Sequence, residues 1–335
     1  MKPLVSILIP AYNAKKTIED TIQSALAQTW PNKEIIIVND GSSDNTLTIA
    51  RKFESRYLKV ITQTNKGASN ARNRALDVSQ GDFIQWLDAD DLLAQDKIEF
   101  QLTNTDDNPK TRVLYSSAWG RFYFRPQKAK FNPDPLWQDL FPLNWLQISL
   151  GEGYWMHPSS WLVSRKLTDL AGPWNEKLLM NQDGEYFFRV VAASKLVKFN
   201  RAALCYYRIG NFSSISSNRS NKALESYIFS LNCCIDHLLS LDNSENTKNA
   251  CINSLQNFIN IFRPEDRSII SIVHQRISDL GGIIKPPVES WKFLIIQKIL
   301  GMKTAMLLKK LIYRMKIFLH LNLDKLLATL SNNSN

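Results

Sequence analysis

Four short apolar runs in the first ninety residues, each followed by polar residues, constrain the fold of this chain more than any other feature. The runs cover 4–9, 34–38, 58–62 and 82–87, and helical apolar spacing covers the intervals 16–28, 44–54 and 69–78, the second with Asp44 as N-cap. Strands that alternate with helices over short connections are typical of a mostly parallel sheet covered on both faces. The sequence therefore predicts an α/β fold.

The segments that follow three of these runs are the first candidates for a ligand site. They read PAYN at 10–13, VNDGS at 38–42 and LDADD at 87–91. In open parallel sheets, ligands bind beyond the carboxyl ends of the strands. We therefore expect these three segments to meet at one edge of the sheet.

Three carboxylates lie close together in Asp88-Ala89-Asp90-Asp91, directly after the fourth run. Two unit charges 4 Å apart repel by roughly 4 kcal/mol at an effective dielectric constant of 20, so the group needs a cation or hydrogen bonds to offset the repulsion. Mg²⁺ takes one or two carboxylates together with substrate phosphates, and Mn²⁺ also suits oxygen ligands. The spacing suits a metal–diphosphate site. In the alternative, the segment is a turn in which Asp91 caps a helix over 92–102.

Further candidates lie at the same edge. Asp40 ends a strand, where its carboxylate can accept a hydrogen bond from the imide N–H of uracil or thymine, although Asp-Gly is also an ordinary turn dipeptide. Arg72 and Asn73 start a helix, where exposed N–H groups and a guanidinium favour a phosphate or base edge; a solvated arginine is the alternative. Asn13 is either a ligand contact or a turn former.

The rest of the chain changes character twice. From about 110 to 215, aromatic residues are scattered among prolines, with a helix predicted from Gly184 to Ala193 and a short strand from Leu196 to Phe199. Loop-rich sequence of this kind beside an open sheet is suited to shaping a pocket. Helical patterns then cover 221–240, 246–262 and 265–279, and a last segment begins at Trp291.

Taken in order, five segments resemble the inverting family 2 glycosyltransferases of the GT-A fold. They are IPAYN at 9–13, QTWPNKEIIIVNDGSSDNT at 28–46, NKGASNARNRAL at 65–76, GDFIQWLDADD at 81–91 and NQDGEYFFR at 181–189. Their order and spacing carry the resemblance, which covers about residues 3–215. It implies a Rossmann-like GT-A domain over 1–215, made of a nucleotide-binding part (1–110) and an acceptor-shaping part (111–215), and then a helical region over 216–335.

The resemblance also implies roles for single residues. Asp40 corresponds to the base-binding aspartate, Asp88 and Asp90 to the D-x-D motif that holds ribose and metal, Asp91 to a further carboxylate beside the metal, and Asp183 to the catalytic base. The implied nucleotide-binding set is Pro10, Ala11, Tyr12, Asn13, Asp40, Arg72, Asp88, Ala89 and Asp90. One departure is Asn39, where the family often has an aspartate, and it leaves the base preference less defined.

These roles imply an activity. The cofactor is Mn²⁺ or Mg²⁺, the donor a nucleotide sugar, with a UDP-sugar as the first choice, and the acceptor a hydroxyl of a glycan or a lipid-linked glycan. A cation stabilises the negative charge that grows on the leaving diphosphate, while Asp183 takes the proton of the attacking hydroxyl. Asp183 can also N-cap the helix predicted from Gly184. The Q-x-x-R-W motif of processive members is absent, so we expect transfer of a single sugar.

Two candidates lie outside these motifs. His157, in WMHPSSW, can contact the diphosphate or the metal, or it can pack as a loop histidine among tryptophans. Arg208 can neutralise phosphate, or it can face water at a strand end. The Trp and Tyr residues between 119 and 161 can stack on sugar rings, although an ordinary core accounts for most of them.

The positive charge is concentrated near the C-terminus. The chain has 41 Lys and Arg against 31 Asp and Glu, a formal charge of +10, and eight of these cations lie in 290–325 against Asp324 alone. On a helical wheel, the seven cations from Lys292 to Lys316 fall within an arc of about 160°, with apolar residues on the remaining face. The segment 291–319 is therefore predicted to be a basic amphipathic helix on an anionic membrane surface. Its alternative is a helix packed on the protein with a solvated lysine face. We expect no nucleic-acid partner, because no basic patch with interleaved aromatic residues accompanies the segment.

Other features bear on location and on competing functions. No apolar run has the length of a transmembrane helix or the character of a signal peptide, and the four cysteines form no C-x-x-C pair or disulfide framework. We expect a cytoplasmic enzyme, peripheral on the inner face of the cytoplasmic membrane. Two other functions stay open: a catalytically idle sugar-nucleotide-binding or membrane-scaffolding protein of the same fold, and a nucleotidyltransferase, which releases pyrophosphate.

Overall fold

A five-stranded sheet forms the centre of the structure, which is a computed structural model that describes residues 2–103, 111–210, 218–286 and 291–332. The described strands are β1 (Val5–Ala11), β2 (Lys33–Asp40), β3 (Leu58–Gln63), β4 (Phe83–Trp86), β5 (Leu92–Leu93), β6 (Val113–Phe122), β7 (Lys130–Phe131), β8 (Val163–Ser164) and β9 (Leu196–Arg208). The first sheet has the order β3-β2-β1-β4-β8, in which β8 alone is antiparallel to its neighbour. The predicted mostly parallel α/β sheet is confirmed.

Helices cover this sheet and continue beyond it. The described α-helices are α1 (Ile18–Leu26), α2 (Thr46–Arg51), α3 (Ala68–Val78), α4 (Lys97–Leu102), α5 (Pro142–Glu152), α6 (Arg165–Ala171), α7 (Gln182–Ala193), α8 (Asn221–Leu241), α9 (Glu245–Phe262), α10 (Arg267–Asp279) and α11 (Trp291–Asn332). The predictions of α8, α9 and α10 are confirmed to within two residues at each end. A helical C-terminal region therefore follows the α/β part.

The residues of β1 explain why the first sheet is a rigid platform. Val5, Ile7, Leu8 and Ile9 are completely buried, so both faces of the strand are covered. A continuous apolar run, instead of an alternating one, is typical of a parallel strand between two helical layers. α3 packs on β1 and β2, and α6 packs on β4. The strand ends are consequently held in fixed positions at the edge of the sheet.

A second sheet, in the order β5-β9-β6-β7, was not predicted from the sequence. Strand β9 runs in parallel beside β6 as far as Arg208, with a register shift at Ser117/Ala118, whereas only Leu196–Phe199 was predicted as a strand. The helix predicted over 92–102 is wrong at its start, because Leu92 and Leu93 form β5 and pair with β9. That pairing joins segments more than a hundred residues apart, which local periodicity does not detect.

The predicted domain boundaries remain predictions. The boundary at 215–216 falls on residues outside the described part of the chain, and the boundary at 110–111 adjoins another undescribed segment. On the described side, the helical region is in close contact with the first part, since α5 packs along α9. A Cβ at Gly151 would lie 3.2 Å from the Cβ of Ala250, so a small residue is required at this crossing.

The last helix differs from its prediction. The backbone at Gly301 has φ 79° and ψ 161°, so α11 is interrupted there, and the expectation of one continuous amphipathic helix over 291–319 is wrong. Glycine adopts such angles without steric cost. A helical wheel assumes a continuous helix, so it does not detect this interruption. Near the other end, Asp324 accepts a hydrogen bond from the Phe124 N–H (2.9 Å) and pairs with the Arg125 guanidinium (2.7 Å). The helix is therefore tied to the end of β6.

Most large apolar side chains of α11 are exposed. Phe293 and Ala305 are buried, but at least half of the side chain surface is exposed at a long series of others: Trp291, Leu294, Ile295, Ile299, Leu307, Leu311, Ile312, Tyr313, Met315, Phe318, Leu319, Leu323, Leu326 and Leu330. Because these side chains are exposed, they do not fit the alternative in which the apolar face of the helix packs on the protein. Among the helices in the described ranges, none combines the length and apolar character needed to cross a bilayer.

Candidate active site

Hydrogen bonds join the loops after β1 and β2 at the edge of the first sheet. Asn13 has a positive φ of 49°, its N–H donates to Ser42 Oγ (3.0 Å), and its Oδ1 accepts from the Ser43 N–H (2.9 Å). Asn13 therefore acts as a turn former here. The preceding Tyr12 is 53% exposed and Ala11 is buried, so the tyrosine ring is the part of this segment that is free to contact a ligand.

Asp40 ends β2 and organises the loop that leads into α3. Its side chain is buried and accepts three hydrogen bonds, from Gln63 Nε2 (2.8 Å) and from the N–H groups of Lys66 and Gly67 (both 2.9 Å). Each carboxylate oxygen has two lone pairs. Within the described part of the chain the Oδ2 atom accepts from Gly67 alone, so it keeps acceptor capacity for one more donor.

Arg72 and Asp88 form an ion pair at the same edge. Nη2 of Arg72 lies 2.8 Å from Oδ1 of Asp88, and the guanidinium carbon lies 4.4 Å from the centre of the Trp174 ring. Arg72 is only 7% exposed, so the alternative of a solvated arginine is wrong. Burial alone would raise the pKa of Asp88, but the charge of Arg72 and its hydrogen bond outweigh burial and keep that pKa below its ordinary value.

Asp91 is fully buried and is bound by two groups from distant parts of the chain. Oδ1 accepts a hydrogen bond from the Arg208 N–H (2.8 Å), and Oδ2 lies 3.0 Å from Nε2 of His157. The Ser159 N–H donates to Nδ1 of His157 (3.2 Å), so the proton of the ring is on Nε2, facing Asp91. The alternative in which Asp91 caps a helix is wrong, because the next helix begins at Lys97, after Asp96.

Asp90 lies between Asp88 and Asp91 in the sequence, and its pKa shifts in the opposite direction from that of Asp88. Burial, followed by repulsion from Asp91 and Asp88, raises its pKa to about 7. Its carbonyl oxygen accepts a hydrogen bond from Nε of Arg208 (2.8 Å), and Nη2 of Arg208 pairs with Asp20 (3.0 Å). Three carboxyl groups at one strand end thus repel one another, as expected from their spacing.

Asp88, Asp91 and His157 are arranged so that a metal ion could bind between them. One ligand atom from each of these residues lies within 4.8 Å of the others, and Asp90 is not part of this group. Two carboxylate oxygens and one imidazole nitrogen form a donor set that suits Mn²⁺, and the carboxylates also suit Mg²⁺. The carboxylates fit directly. His157 fits as the tautomer that carries its proton on Nδ1, which would end the hydrogen bond from the Ser159 N–H, because a ligating imidazole nitrogen carries no proton.

Asp183 lies in the first turn of α7, not at its N-cap. The helix begins at Gln182, and Asn181 occupies the N-cap with φ 59°. A Cβ at Gly184 would meet the Asn181 side chain, so a larger residue there would displace the N-cap side chain. The half-buried Asp183 carboxylate has no hydrogen-bond partner among the residues that the structure describes. The capping role considered for Asp183 is therefore wrong.

A group of aromatic rings lies beside the acidic residues, because His157, which contacts Asp91, packs against Tyr207. The ring centres of His157 and Tyr207 lie 4.6 Å apart, those of Trp119 and Trp155 lie 4.7 Å apart, and each tryptophan ring lies about 6 Å from Tyr207. Asp88, Asp90 and Asp91 are called the rim carboxylates below. Burial, and then the charges of the rim carboxylates and of Asp183, raise the pKa of Tyr207 to about 12. Tyr207 is thus close to both acidic groups.

Sequence reasoning missed several residues of this site. Tyr207 belongs to no motif, and Gln182, whose Oε1 accepts a hydrogen bond from Nη1 of Arg72 (3.4 Å), has no role of its own in the NQDGEYFFR segment. Trp119 is one of the aromatic residues between 119 and 161 for which sugar stacking is expected. Arg208 was considered for its side chain, yet its backbone N–H is what binds Asp91. The one available signal was the density of aromatic residues between 119 and 161.

Comparisons with known proteins agree with this geometry. Residues 6–153 match the family described as Glycosyl transferase family 2. An uncharacterized glycosyltransferase of Rickettsia typhi is 32% identical over 232 residues, which cover 67% of this chain and 69% of that protein. The Escherichia coli protein WfgD, named as a UDP-Glc:α-D-GlcNAc-diphosphoundecaprenol β-1,3-glucosyltransferase, is 44% identical over 138 residues, which cover 38% of this chain and 54% of WfgD.

The fold has a counterpart among solved structures. The crystal structure of residues 1–349 of TarS from S. aureus, in complex with UDP, superposes with a TM-score of 0.62 and 18% identity, over 84% of this chain and 80% of that one. This likeness supports the GT-A fold, and the relatives support a glycosyltransferase over the idle binding protein and the nucleotidyltransferase. The chain is therefore a glycosyltransferase of the GT-A fold and belongs to glycosyltransferase family 2.

Proposed function

We propose that this glycosyltransferase moves one sugar from a UDP-sugar to a hydroxyl group of a lipid-linked glycan, with inversion at the anomeric carbon and with a divalent metal ion. WfgD is named for a reaction of this type, with UDP-glucose as donor and a diphosphoundecaprenol-linked sugar as acceptor. TarS binds UDP in its crystal structure. Both support the choice of UDP and of the acceptor class for this chain.

The position of Asp183 carries the proposal. It is a half-buried carboxylate without a hydrogen-bond partner in the described part of the chain, and it is close enough to Tyr207 that its charge, like those of Asp88, Asp90 and Asp91, raises the pKa of that side chain. A general base must be free to accept a proton and must lie near the reacting atoms. With the donor at the rim and the acceptor on the Asp183 side, the hydroxyl attacks from the face opposite the leaving group. Direct displacement of this kind inverts the anomeric carbon.

The nucleotide is placed at the edge of the first sheet. Tyr12 offers an exposed ring for stacking, and Oδ2 of Asp40 offers an acceptor for an imide N–H. Arg72 is pre-positioned by Asp88 and the Trp174 ring, so its guanidinium loses little freedom when a diphosphate arrives. Pro10, Ala11, Asn13, Ala89 and Asp90 complete the predicted set, and Arg208 stays a prediction as a phosphate contact.

Asp88, Asp91 and His157 would hold the metal ion, with Asp90 beside them. A bound Mn²⁺ or Mg²⁺ ion supplies positive charge for the diphosphate as it departs. Arg72 supplies further positive charge on the same side. The carboxylates of this group also repel one another in its absence, which favours uptake of a cation.

Helix α11 is proposed to rest on an anionic membrane surface on the cytoplasmic side. Its exposed apolar side chains alternate with the exposed cations Lys298, Lys310, Arg314 and Lys316. Apolar side chains enter the headgroup boundary of a bilayer, and each cation near an anionic leaflet adds on the order of 1 kcal/mol. A peripheral position of this kind brings the enzyme to an acceptor that is anchored by a lipid.

The Asp183→Asn variant tests the proposed function. Loss of a general base lowers kcat by roughly 10²- to 10⁴-fold, whereas UDP binding stays within twofold of wild type, since Asp183 makes no hydrogen bond or ion pair with Asp40, Arg72 or Asp88. Asp169→Asn, an exposed aspartate on α6, serves as the control and keeps wild-type kcat. Products are identified by chromatography: release of a nucleoside diphosphate supports the transfer reaction. Release of pyrophosphate, or an unchanged kcat in Asp183→Asn, contradicts the proposal.

A further inference from the structure

A cavity lies against the Trp119 and Trp155 rings of the aromatic group. Its volume is about 230 Å³, and its walls include Trp119, Arg121, Lys130, Asp134 and Trp155. This is below the ~300–1,000 Å³ of pockets for drug-sized ligands, so it suits a headgroup-sized ligand. Nothing in the roles assigned so far uses this cavity.

The two cations in its wall are an unusual pair. Arg121 on β6 and Lys130 on β7 are directly opposite each other in the antiparallel ladder, so their side chains share one face of the sheet. Like charges at directly opposed positions destabilise a pair of strands. Neither cation has an ion pair with any residue in the described ranges, although Arg121 lies 5.1 Å from the Trp119 ring. A bound anion would remove this repulsion.

The other wall of the cavity suits a sugar. Trp155 is 39% exposed and lies against Trp119, so it presents an indole surface on which a sugar ring can stack. Nε1 of Trp119 is buried and donates to no group in the described part of the chain. Buried indole N–H groups normally have an acceptor, and a ligand hydroxyl would supply one. Asp134 also lies in the wall, where its Oδ1 accepts a hydrogen bond from the Leu136 N–H (2.8 Å), and it forms no ion pair with Arg121 or Lys130.

The walls of the cavity have neighbours in the acidic group and in α11. The Trp119 and Trp155 rings lie 6.1 and 6.3 Å from the His157 ring, which contacts Asp91. Arg125, four residues after Arg121 in the sequence, binds Asp324 of α11. The segment that carries Arg121 is therefore also the segment to which α11 is tied.

We infer that this cavity is the acceptor subsite for a glycosyl diphosphate carried by a lipid, with the sugar against Trp119 and Trp155 and the diphosphate between Arg121 and Lys130. The inference rests on the proposed function, and it adds that the protein recognises the sugar and the diphosphate of the acceptor. A diphosphate carries enough negative charge to neutralise both cations, and guanidinium and ammonium groups bind phosphate oxygens by charge-assisted hydrogen bonds. The lipid then lies beside α11.

The test compares two soluble probes that differ only in the diphosphate. One is α-GlcNAc-diphosphate esterified to a phenoxyalkyl chain, and the other is the α-GlcNAc glycoside of the same chain. Their binding to the full-length protein is measured by titration calorimetry with saturating UDP and Mn²⁺. We expect the wild type to bind the diphosphate probe at least tenfold more tightly than the glycoside.

The double variant Arg121→Gln/Lys130→Gln is expected to lose at least tenfold in affinity for the diphosphate probe and to bind the glycoside as wild type does. The matched control is Lys128→Gln, which removes an exposed lysine just before β7 and outside the cavity wall and leaves both affinities unchanged. Trp155→Ala should weaken both probes, since it removes the stacking surface.

Several results would overturn the inference: no binding of the diphosphate probe by the wild type, equal affinity of wild type and double variant, or an equal loss for both probes. UDP affinity and slow hydrolysis of the UDP-sugar are measured in the same samples. If these are normal while the probe results fail, only the acceptor subsite is wrong. If the wild type neither binds UDP nor consumes the donor, the proposed function is wrong.

Discussion

The edge of the first sheet and helix α11 differ in whether their side chains have partners within the protein. At the edge, Asp40, Asp88 and Asp91 each have partners within the protein, several of them contributed by distant segments. Along α11, large apolar side chains stay exposed, and Asp324 provides a hydrogen-bonded tie to the rest of the molecule. The first region is preorganised before any ligand arrives, whereas the second leaves its apolar side chains uncovered, as the proposed contact with a membrane surface requires. In the proposed function, chemistry and location therefore belong to different parts of the chain.

The Asp91→Asn variant should produce the largest effect, because it disturbs the most buried group of the preorganised region. The asparagine NH₂ must face either the Arg208 N–H or the Nε2–H of His157, so one donor meets another donor. Breaking a buried pair in this way costs about 3 kcal/mol. Urea denaturation in the absence of metal measures the free energy of unfolding.

The matched control for this variant is Asp90→Asn, which removes a carboxyl group that its neighbours repel. We expect its free energy of unfolding to stay within about 0.5 kcal/mol of wild type. An equal loss of stability in both variants would show that the difference between the two aspartates is not as described.

Removing apolar groups from α11 tests the other side of the comparison. Phe318→Ser/Leu319→Ser exchanges two side chains that are 60% and 63% exposed, so the fold should be little affected. We expect the affinity for vesicles that contain anionic lipid to fall by about tenfold or more, because apolar groups no longer enter the headgroup boundary. Cosedimentation measures the bound fraction. Leu170→Ser, on α6 and 55% exposed, is the control, and a similar loss in that variant would contradict the role of α11.

Lys97 provides a smaller, pH-dependent test of the preorganised region. It is completely buried, it donates to Gln85 Oε1, and burial lowers its pKa to about 7 from an ordinary value of 10.5. Between these two values the unfolded chain holds a proton that the folded protein lacks, so this group makes the free energy of unfolding rise with pH. Below pH 7 both states are protonated and the dependence disappears.

The difference in free energy of unfolding between wild type and Lys97→Met isolates this group. From pH 7 to 8.5, the difference should move in favour of wild type by about 1 to 2 kcal/mol. Urea denaturation at several pH values within this window gives the slope. Parallel curves for the two proteins would mean that Lys97 does not lose its proton in the folded state.

The smallest expected effect concerns the tie between the two regions. Asp324→Asn removes the charge that pairs with Arg125 and weakens the hydrogen bond from Phe124. Because the pair is partly exposed, the loss is about 1 kcal/mol or less. Global stability should hardly change, while hydrogen exchange should become faster at the Phe124 amide and in the last turns of α11. Faster exchange throughout the first sheet would instead indicate that α11 supports the whole fold.

Local signals explain what sequence reasoning could predict. The apolar runs and helical spacing gave the first sheet and α8 to α10, because both follow from contacts within a few residues. The same reasoning brought Asp88 and Asp91 to the end of a strand. It placed a helix directly after them, where β5 pairs instead with β9, and it treated α11 as continuous across Gly301.

Contacts over long sequence separations explain the rest. His157 meets Asp91 only because the segment before β8 returns to the first sheet, and the cation pair of Arg121 and Lys130 depends on a turn between β6 and β7. Residue type suggested His157 as a candidate, but its partner was visible only in the fold. The cavity had no motif at all.

The hydrogen bond from the Arg208 N–H to Asp91 has a consequence for the order in which the enzyme becomes competent. It joins Asp91 to the last strand of the second sheet, 117 positions later. While the chain is being synthesised, the acidic centre therefore lacks one of its supports until β9 has emerged and docked. A nascent protein with a finished nucleotide edge is consequently still without a complete acidic centre.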